Sequence, residues 1–178
     1  KEQTPPPLSL AQQRLWFLEQ LVPGNPFYNV ATALRLTGLL HITALQRTFA
    51  EIVRRHEALR TTFRLVDAQP VQAIAPRLSV TLPVIDLQTL PPGERSQTVQ
   101  QLTIQEAQRP FNLAQGPLLR VQLLQLETAE YVLLLTMHHI VSDGWSIGVL
   151  IHELEVLYAA FATGQPSPLA ELPIQYAD

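Results

Sequence analysis

Two adjacent imidazoles and a carboxylate, in the run His138-His139-Ile140-Val141-Ser142-Asp143-Gly144, are the side chains of this chain best suited to proton transfer. Histidine is the residue whose ordinary titration lies near neutral pH, so it can take a proton from a reacting group and give it back. The run sits where two elements meet. Before it, Tyr131-Val132-Leu133-Leu134-Leu135-Thr136-Met137 is short, apolar and unbroken, as expected of a strand covered on both faces. After it, Ile147, Leu150, Ile151, Leu154, Leu157, Tyr158 and Phe161 recur three or four apart, which predicts a helix stopped near Gly164. The histidines therefore fall in a strand-to-helix loop, a frequent place for reacting groups in sheet proteins with helical crossovers.

The preceding chain supplies the elements that must hold this loop. Ser9 is placed to cap a helix from Leu10 to about Leu21, closed by Val22-Pro23-Gly24-Asn25-Pro26. Tyr28 to Leu36 alternates, with Val30, Thr32, Leu34 and Leu36 on one side, and reads as a strand ending at Gly38. Thr43 and Gln46 have capping-box spacing for a helix whose buried stripe is Leu45, Phe49, Ile52, Val53 and His56. Thr61 to Val66 and Val71 to Ala75 suggest a hairpin around Asp67-Ala68-Gln69-Pro70, and Val80 to Leu87 a strand weakened by Pro83. A polar helix from Glu94 to Gln108, stopped by Pro110, precedes strands over Leu118 to Leu126 and Tyr131 to Met137. The order is mixed α and β without internal repeats.

Composition narrows the possibilities. The 178 residues, 47% hydrophobic, are enough for a substantial core. A net charge of −3 with twelve scattered Lys and Arg offers no basic field for nucleic acid. The chain has no cysteine, hence no thiol nucleophile and no Cys-based zinc site, in keeping with a cytoplasmic setting. No unbroken apolar run approaches membrane-spanning length, so a soluble protein is expected. The sole methionine, Met137, is internal, and the start, rich in Pro5, Pro6 and Pro7, has the composition of a linker over residues 1–7; the sequence is expected to be part of a longer chain.

Each chemical signal has a plain structural counterpart. Two histidines leaving a strand point to opposite sides, so one faces any given cleft and the other is open to a backbone partner. Asp143 is also a natural helix N-cap. A zinc site lacks a third ligand at suitable spacing, and His41, His56 and His152 read as structural. Gly144-Trp145-Ser146-Ile147-Gly148 matches the nucleophile elbow of α/β hydrolases. That elbow needs a strand running almost directly into its first glycine, and here the apolar strand stops at Met137. The only later histidine, His152, lies on the same helix as Ser146.

Three segments together resemble a known family. They are Ser9-Leu10-Ala11-Gln12-Gln13-Arg14-Leu15-Trp16-Phe17-Leu18, Arg55-His56-Glu57-Ala58-Leu59-Arg60-Thr61-Thr62-Phe63, and Met137 through Ser146 with its doubled histidine. In this order they resemble the amino-terminal lobe of a nonribosomal peptide synthetase condensation domain, over the whole chain. The resemblance implies an α/β fold with a mixed sheet, one chloramphenicol acetyltransferase-like lobe built as a two-layer helix/sheet sandwich over residues 8–178. The carboxyl-terminal lobe is absent. It further implies peptide-bond formation, in which a donor acyl or peptidyl thioester is transferred to the α-amine of an acceptor aminoacyl thioester. Both substrates ride on phosphopantetheine arms of carrier proteins, and the domain itself binds no cofactor and no metal.

By the same resemblance His139 is catalytic, while His138, Gly144, Trp145 and Ser146 shape the loop. Asp143 is structural and forms a salt bridge with Arg60; Gly144 offers its N–H near the reacting carbonyl. Gln12, Arg14 and Trp16 support the lobe. The implied partners are the carboxyl-terminal lobe, donor and acceptor carrier proteins and an adjacent adenylation domain. His139 acts either as base or by hydrogen-bonding the tetrahedral intermediate. Epimerising and coenzyme A-dependent relatives share parts of the motif. A rival reading makes the 178 residues a non-catalytic module that binds a carrier protein or the partner lobe, inactive alone and prone to self-association through an uncovered apolar face.

Overall fold

A computed structural model describes residues 5 to 177. Four helices and six strands follow in the order α1 (Leu10–Leu21), β1 (Asn29–Thr37), α2 (Ile42–Arg55), β2 (Thr61–Val66), β3 (Gln69–Ile74), β4 (Val84–Asp86), α3 (Pro92–Gln108), β5 (Leu119–Glu127), β6 (Glu130–His138) and α4 (Gly144–Ala162). The main sheet has the order β1-β6-β5-β4. It is mixed, because β6 runs antiparallel to both neighbours while β4 is parallel to β5. β6 lies between β1 and β5, and its last six residues, Leu133 to His138, are all buried, as its unbroken apolar run requires.

The parity of β6 divides the core. Leu133, Leu135 and Met137 face α2 and α4, packing with Leu45, Phe49, Ile52, Leu150, Leu154 and Leu157. Leu134, with Leu124 and Leu87, faces the other way and meets Val99 and Leu102 of α3. The mixed α/β class is as expected, but α3 adds a third layer to the two-layer sandwich. Its polar sequence hides this, since none of its residues is fully buried. A smaller cluster of Leu8, Phe63, Phe111, Leu113, Leu118 and Ile140 joins α1 and the separate β2–β3 hairpin to the loop after β6.

Several boundaries differ from expectation for local reasons. α1 starts as foreseen, Ser9 and Gln12 forming a reciprocal capping box. α2 is capped by His41, whose Nδ1 accepts from Ala44 N–H at 3.2 Å, and not by Thr43. The hairpin turn is tighter: Asp67 and Ala68 take left-handed φ of 50° and 61°, leaving Gln69 and Pro70 inside β3. Of Val80 to Leu87 only Val84–Asp86 pairs as a strand, after Pro83. Pro6 and Pro7 are tied to the fold, their carbonyls accepting from Gln72 N and Nε2 at 3.0 and 2.9 Å, so the expected linker is shorter than residues 1–7; residues 1–4 lie outside the described ones. α4 begins three residues before Ile147. With 19 residues and a mean hydropathy of 1.3 it is long and apolar enough to cross a membrane, contrary to the reading from unbroken runs. Its apolar stripe instead packs on the sheet through Leu150, Leu154, Leu157 and Phe161.

α2 and α4 are also joined through charge. Arg55 Nε and Nη2 donate to the two oxygens of Glu153 at 3.2 and 3.0 Å, and His56 Nε2 lies 2.9 Å from Glu153 Oε2. Arg55 Nη1 also donates to the Ala170 carbonyl at 2.7 Å, fastening the segment after α4. Arg55 and Glu153 are 4% and 5% exposed, so neither charge has water to fall back on. Glu153→Gln is expected to lower unfolding stability by about 3 kcal/mol by stranding the Arg55 charge, measured by chemical denaturation. A loss below about 1 kcal/mol would mean that solvent reaches the pair.

Candidate active site

β6 ends at His138, and its parity puts that imidazole on the α3 side of the sheet. His138 is 1% exposed, with Phe111 edge-on at 6.1 Å and Tyr28 tilted at 6.4 Å. Its Nδ1 accepts the N–H of Ile140 at 3.0 Å, which assigns its proton to Nε2. Burial, with the neighbouring His139 adding to it, pushes the His138 pKa down to about 4, so the ring is neutral. Its carbonyl accepts from Val141 N and Ser142 Oγ, both at 3.1 Å. These bonds curl the chain into a tight loop immediately after the strand.

His139 points the other way and is exposed. Its N–H donates to the Tyr28 carbonyl at 2.8 Å, which continues the β1–β6 pairing by one residue. The curl then brings the Ser142 carbonyl to 2.5 Å from His139 Nδ1. A carbonyl only accepts, so Nδ1 carries a proton, and in the neutral ring the lone pair is on Nε2. When neutral, the two histidines thus hold opposite tautomers, each fixed by a backbone group of the same short loop.

Asp143 closes the loop by starting α4. Its Oδ1 accepts from Ser146 N and Oγ at 2.8 and 2.7 Å, and Ser146 Oγ in turn accepts from Asp143 N at 3.3 Å. Such a cap contributes about 1 kcal/mol to helix formation. The Ser146 hydroxyl and N–H hold the Asp143 carboxyl below its usual range. The expected pair with Arg60 is not formed. Arg60 donates instead to the Ala75 carbonyl at 2.5 Å and to Glu57 at 3.3 Å, while the Asp143 carboxylate is engaged by Ser146. Trp145 is 82% exposed at the head of α4, and with Ser146 it lines a cavity of about 230 Å³ that also touches Ile52, His56, Met137 and Tyr176.

The other sequence candidates fall away from this loop or beneath it. Gln12, 2% exposed, reaches the Ile140 carbonyl at 3.4 Å and so supports the loop from α1. His41 caps α2, His56 belongs to the Glu153 cluster and His152 is exposed on α4. Ser146 lies in the first turn of α4, bonded to Asp143, and five loop residues separate β6 from Gly144, so there is no nucleophile elbow. Among the described residues no three His, Asp or Glu side chains converge as a metal site. Sequence reasoning missed the Ser142 and Tyr28 carbonyls, which have no side-chain signature, and Phe111, whose only signal is an aromatic directly after the helix-stopping Pro110.

Comparison with known proteins gives this geometry a family. The condensation domain family model matches residues 2–178, and the chain belongs to that family. It is 49% identical over 172 residues to a linear gramicidin synthase of Brevibacillus parabrevis, covering 97% of this chain and 2% of that protein. Chondramide synthase cmdD of Chondromyces crocatus is 50% identical over 172 residues, covering 97% of this chain and 4% of that protein. Among solved structures, the starter condensation domain of rhizomide synthetase RzmA superposes with a TM-score of 0.85 at 27% identity, over 94% of this chain and 40% of that one. The X-domain complexed with OxyB from teicoplanin biosynthesis gives 0.87 at 28%, over 99% and 37%. The chain therefore spans a few percent of these two synthases and about two fifths of the solved domains.

The neutral His138 makes stability depend on pH. The unfolded chain takes a proton near pH 6.5 and the folded one only near 4, so between these values the unfolded state binds more protons and stability falls as pH falls. His138→Asn keeps an acceptor for Ile140 N–H and does not titrate. Its stability deficit relative to the parent is expected to shrink by up to about 3 kcal/mol from pH 6.5 to 4 in denaturant titrations. Parallel curves would contradict a neutral buried ring.

Proposed function

We propose that residues 8–178 are the amino-terminal lobe of a peptide-bond-forming condensation domain and that His139 is its general base. The observation that carries this reading is the 2.5 Å contact of His139 Nδ1 with the Ser142 carbonyl, which puts a proton on Nδ1 and so, in the neutral ring, the lone pair on Nε2 of an exposed residue. A lone pair there accepts a proton; it cannot donate a hydrogen bond to an oxyanion until it has done so, which favours the base over the intermediate-binding role. In the step, the acceptor's α-amine nitrogen attacks the donor thioester carbonyl. The C–N bond forms, the C–S bond breaks, the ammonium proton passes to Nε2 and from there to the departing thiolate. One relative, from Streptomyces viridochromogenes, is by name a phosphinothricin tripeptide synthetase, which agrees with this chemistry.

In this reading the substrates arrive on phosphopantetheine arms of donor and acceptor carrier proteins, and the lobe needs no cofactor of its own. The carboxyl-terminal lobe and a neighbouring adenylation domain are its further partners, in the cytoplasm. Gly144 fits an approach by substrate. A Cβ there would meet nothing within 4 Å, so packing alone does not require glycine, and as the first residue of α4 its N–H has no intrahelical acceptor. The exposed Leu10, Phe17 and Leu21 of α1 suit contact with another lobe or domain, and the fragment alone is expected to be inactive.

His139→Ala in the complete condensation domain is expected to slow formation of the dipeptidyl product by about 10² to 10⁴-fold with carrier-bound thioesters. Undiminished turnover would overturn the assignment.

A further inference from the structure

Arg120 stands in β5, on the α3 face, opposite Thr136 of β6 and on the same side as Gln122. Each nitrogen of its guanidinium is engaged. Nε donates to the Glu106 carboxylate, Nη2 to the carbonyls of Glu106 and Arg109 at 3.2 and 2.7 Å, and Nη1 to the carbonyl of Pro110 at 3.1 Å. The carbonyls of Arg109 and Pro110 lie just beyond α3, and that of Glu106, in its last turn, is shared with Arg109 N at 3.3 Å. The same guanidinium lies 3.7 Å over the centroid of the Phe111 ring, a close cation–π stack. Phe111, 6% exposed, presents its edge to His138.

A second strand grips the same helix end. Asn29, opposite His138 in the β1–β6 register, donates from Nδ2 to the carbonyls of Ala107 and Arg109, both at 2.8 Å. The end of α3 is thus a crossbar fastened to β1 and β5, the two strands that flank β6. His138 emerges between them, and Phe111, fixed by the crossbar, forms one wall of its slot.

We propose that Arg120 is a positioning residue for the reaction: by capping α3 and stacking on Phe111 it holds the aromatic wall that fixes the His138 ring, and through His138 the loop that presents His139. This rests on the reading of His139 as the reacting group. Lysine cannot replace Arg120, because a point charge does not span several carbonyls and a ring face at once.

The test uses the complete condensation domain, the unit crystallised for the rhizomide relative, labelled with ¹⁵N-histidine. Arg120→Met and Arg120→Lys are each expected to lower kcat about tenfold to a hundredfold with KM changed less than about twofold, and to replace the single Nε2–H signature of His138 by an averaged one. Phe111→Leu leaves the α3 cap in place and is expected to give the same kcat loss and the same His138 change, which separates positioning from unfolding of α3. Phe111→Leu with unaltered kcat overturns the proposal, as does an altered His138 signature with turnover untouched in both Arg120 variants. Failure of the base assignment is read separately, from His139→Ala.

Discussion

One hydrogen bond, from Ile140 N–H to His138 Nδ1 at 3.0 Å, sets the geometry of the site. A ring this deeply buried is kept neutral, and a neutral ring that accepts at Nδ1 must carry its proton on Nε2. Accepting from a residue only two ahead turns the backbone back on itself, and the His138 carbonyl then collects Val141 N and Ser142 Oγ. The Ser142 carbonyl is left facing His139 Nδ1, which fixes the second imidazole in the other tautomer. The orientation of the exposed histidine's ring follows from the burial of its neighbour.

The surrounding architecture keeps this curl from relaxing. β6 is covered on both faces, so its last residue cannot slide without moving Met137 out of one core and Leu134 out of the other. Asp143 stops the loop by starting α4, a local cap of about 1 kcal/mol that needs no distant partner. α4 is then locked to α2 by apolar packing and by the buried Arg55 and Glu153, an interaction whose loss would outweigh that of the cap. The strongest constraints therefore lie away from the reacting atoms, and the loop inherits its order from them.

Much of this is legible in the residues. The unbroken run from Tyr131 to Met137, the cap at Ser9 and the stripe of Leu45, Phe49, Ile52 and Val53 on α2 translate directly into structure, because each depends on local periodicity or a local hydrogen bond. Opposite exposure of the two histidines follows from strand parity. What is not legible depends on contacts distant in sequence or on atoms that every residue has. α3 shows no apolar stripe, yet covers a sheet face. The Arg60 partner of Asp143 rests on family resemblance and is replaced by Ser146, three residues away. Glu153 on the apolar face of α4 is a charge out of place, and it is paired and buried. A charge that breaks an apolar pattern marks a specific contact more reliably than a motif marks its partner.

The central claim is that the loop delivers His139 with its proton on Nδ1 and a lone pair on Nε2. Long-range ¹H–¹⁵N correlation of the labelled complete domain, at a pH where the ring is neutral, tests this directly. The account predicts a pyrrole-type shift for His139 Nδ1 and a pyridine-type shift for Nε2, the reverse of His138. A proton on His139 Nε2 would contradict it.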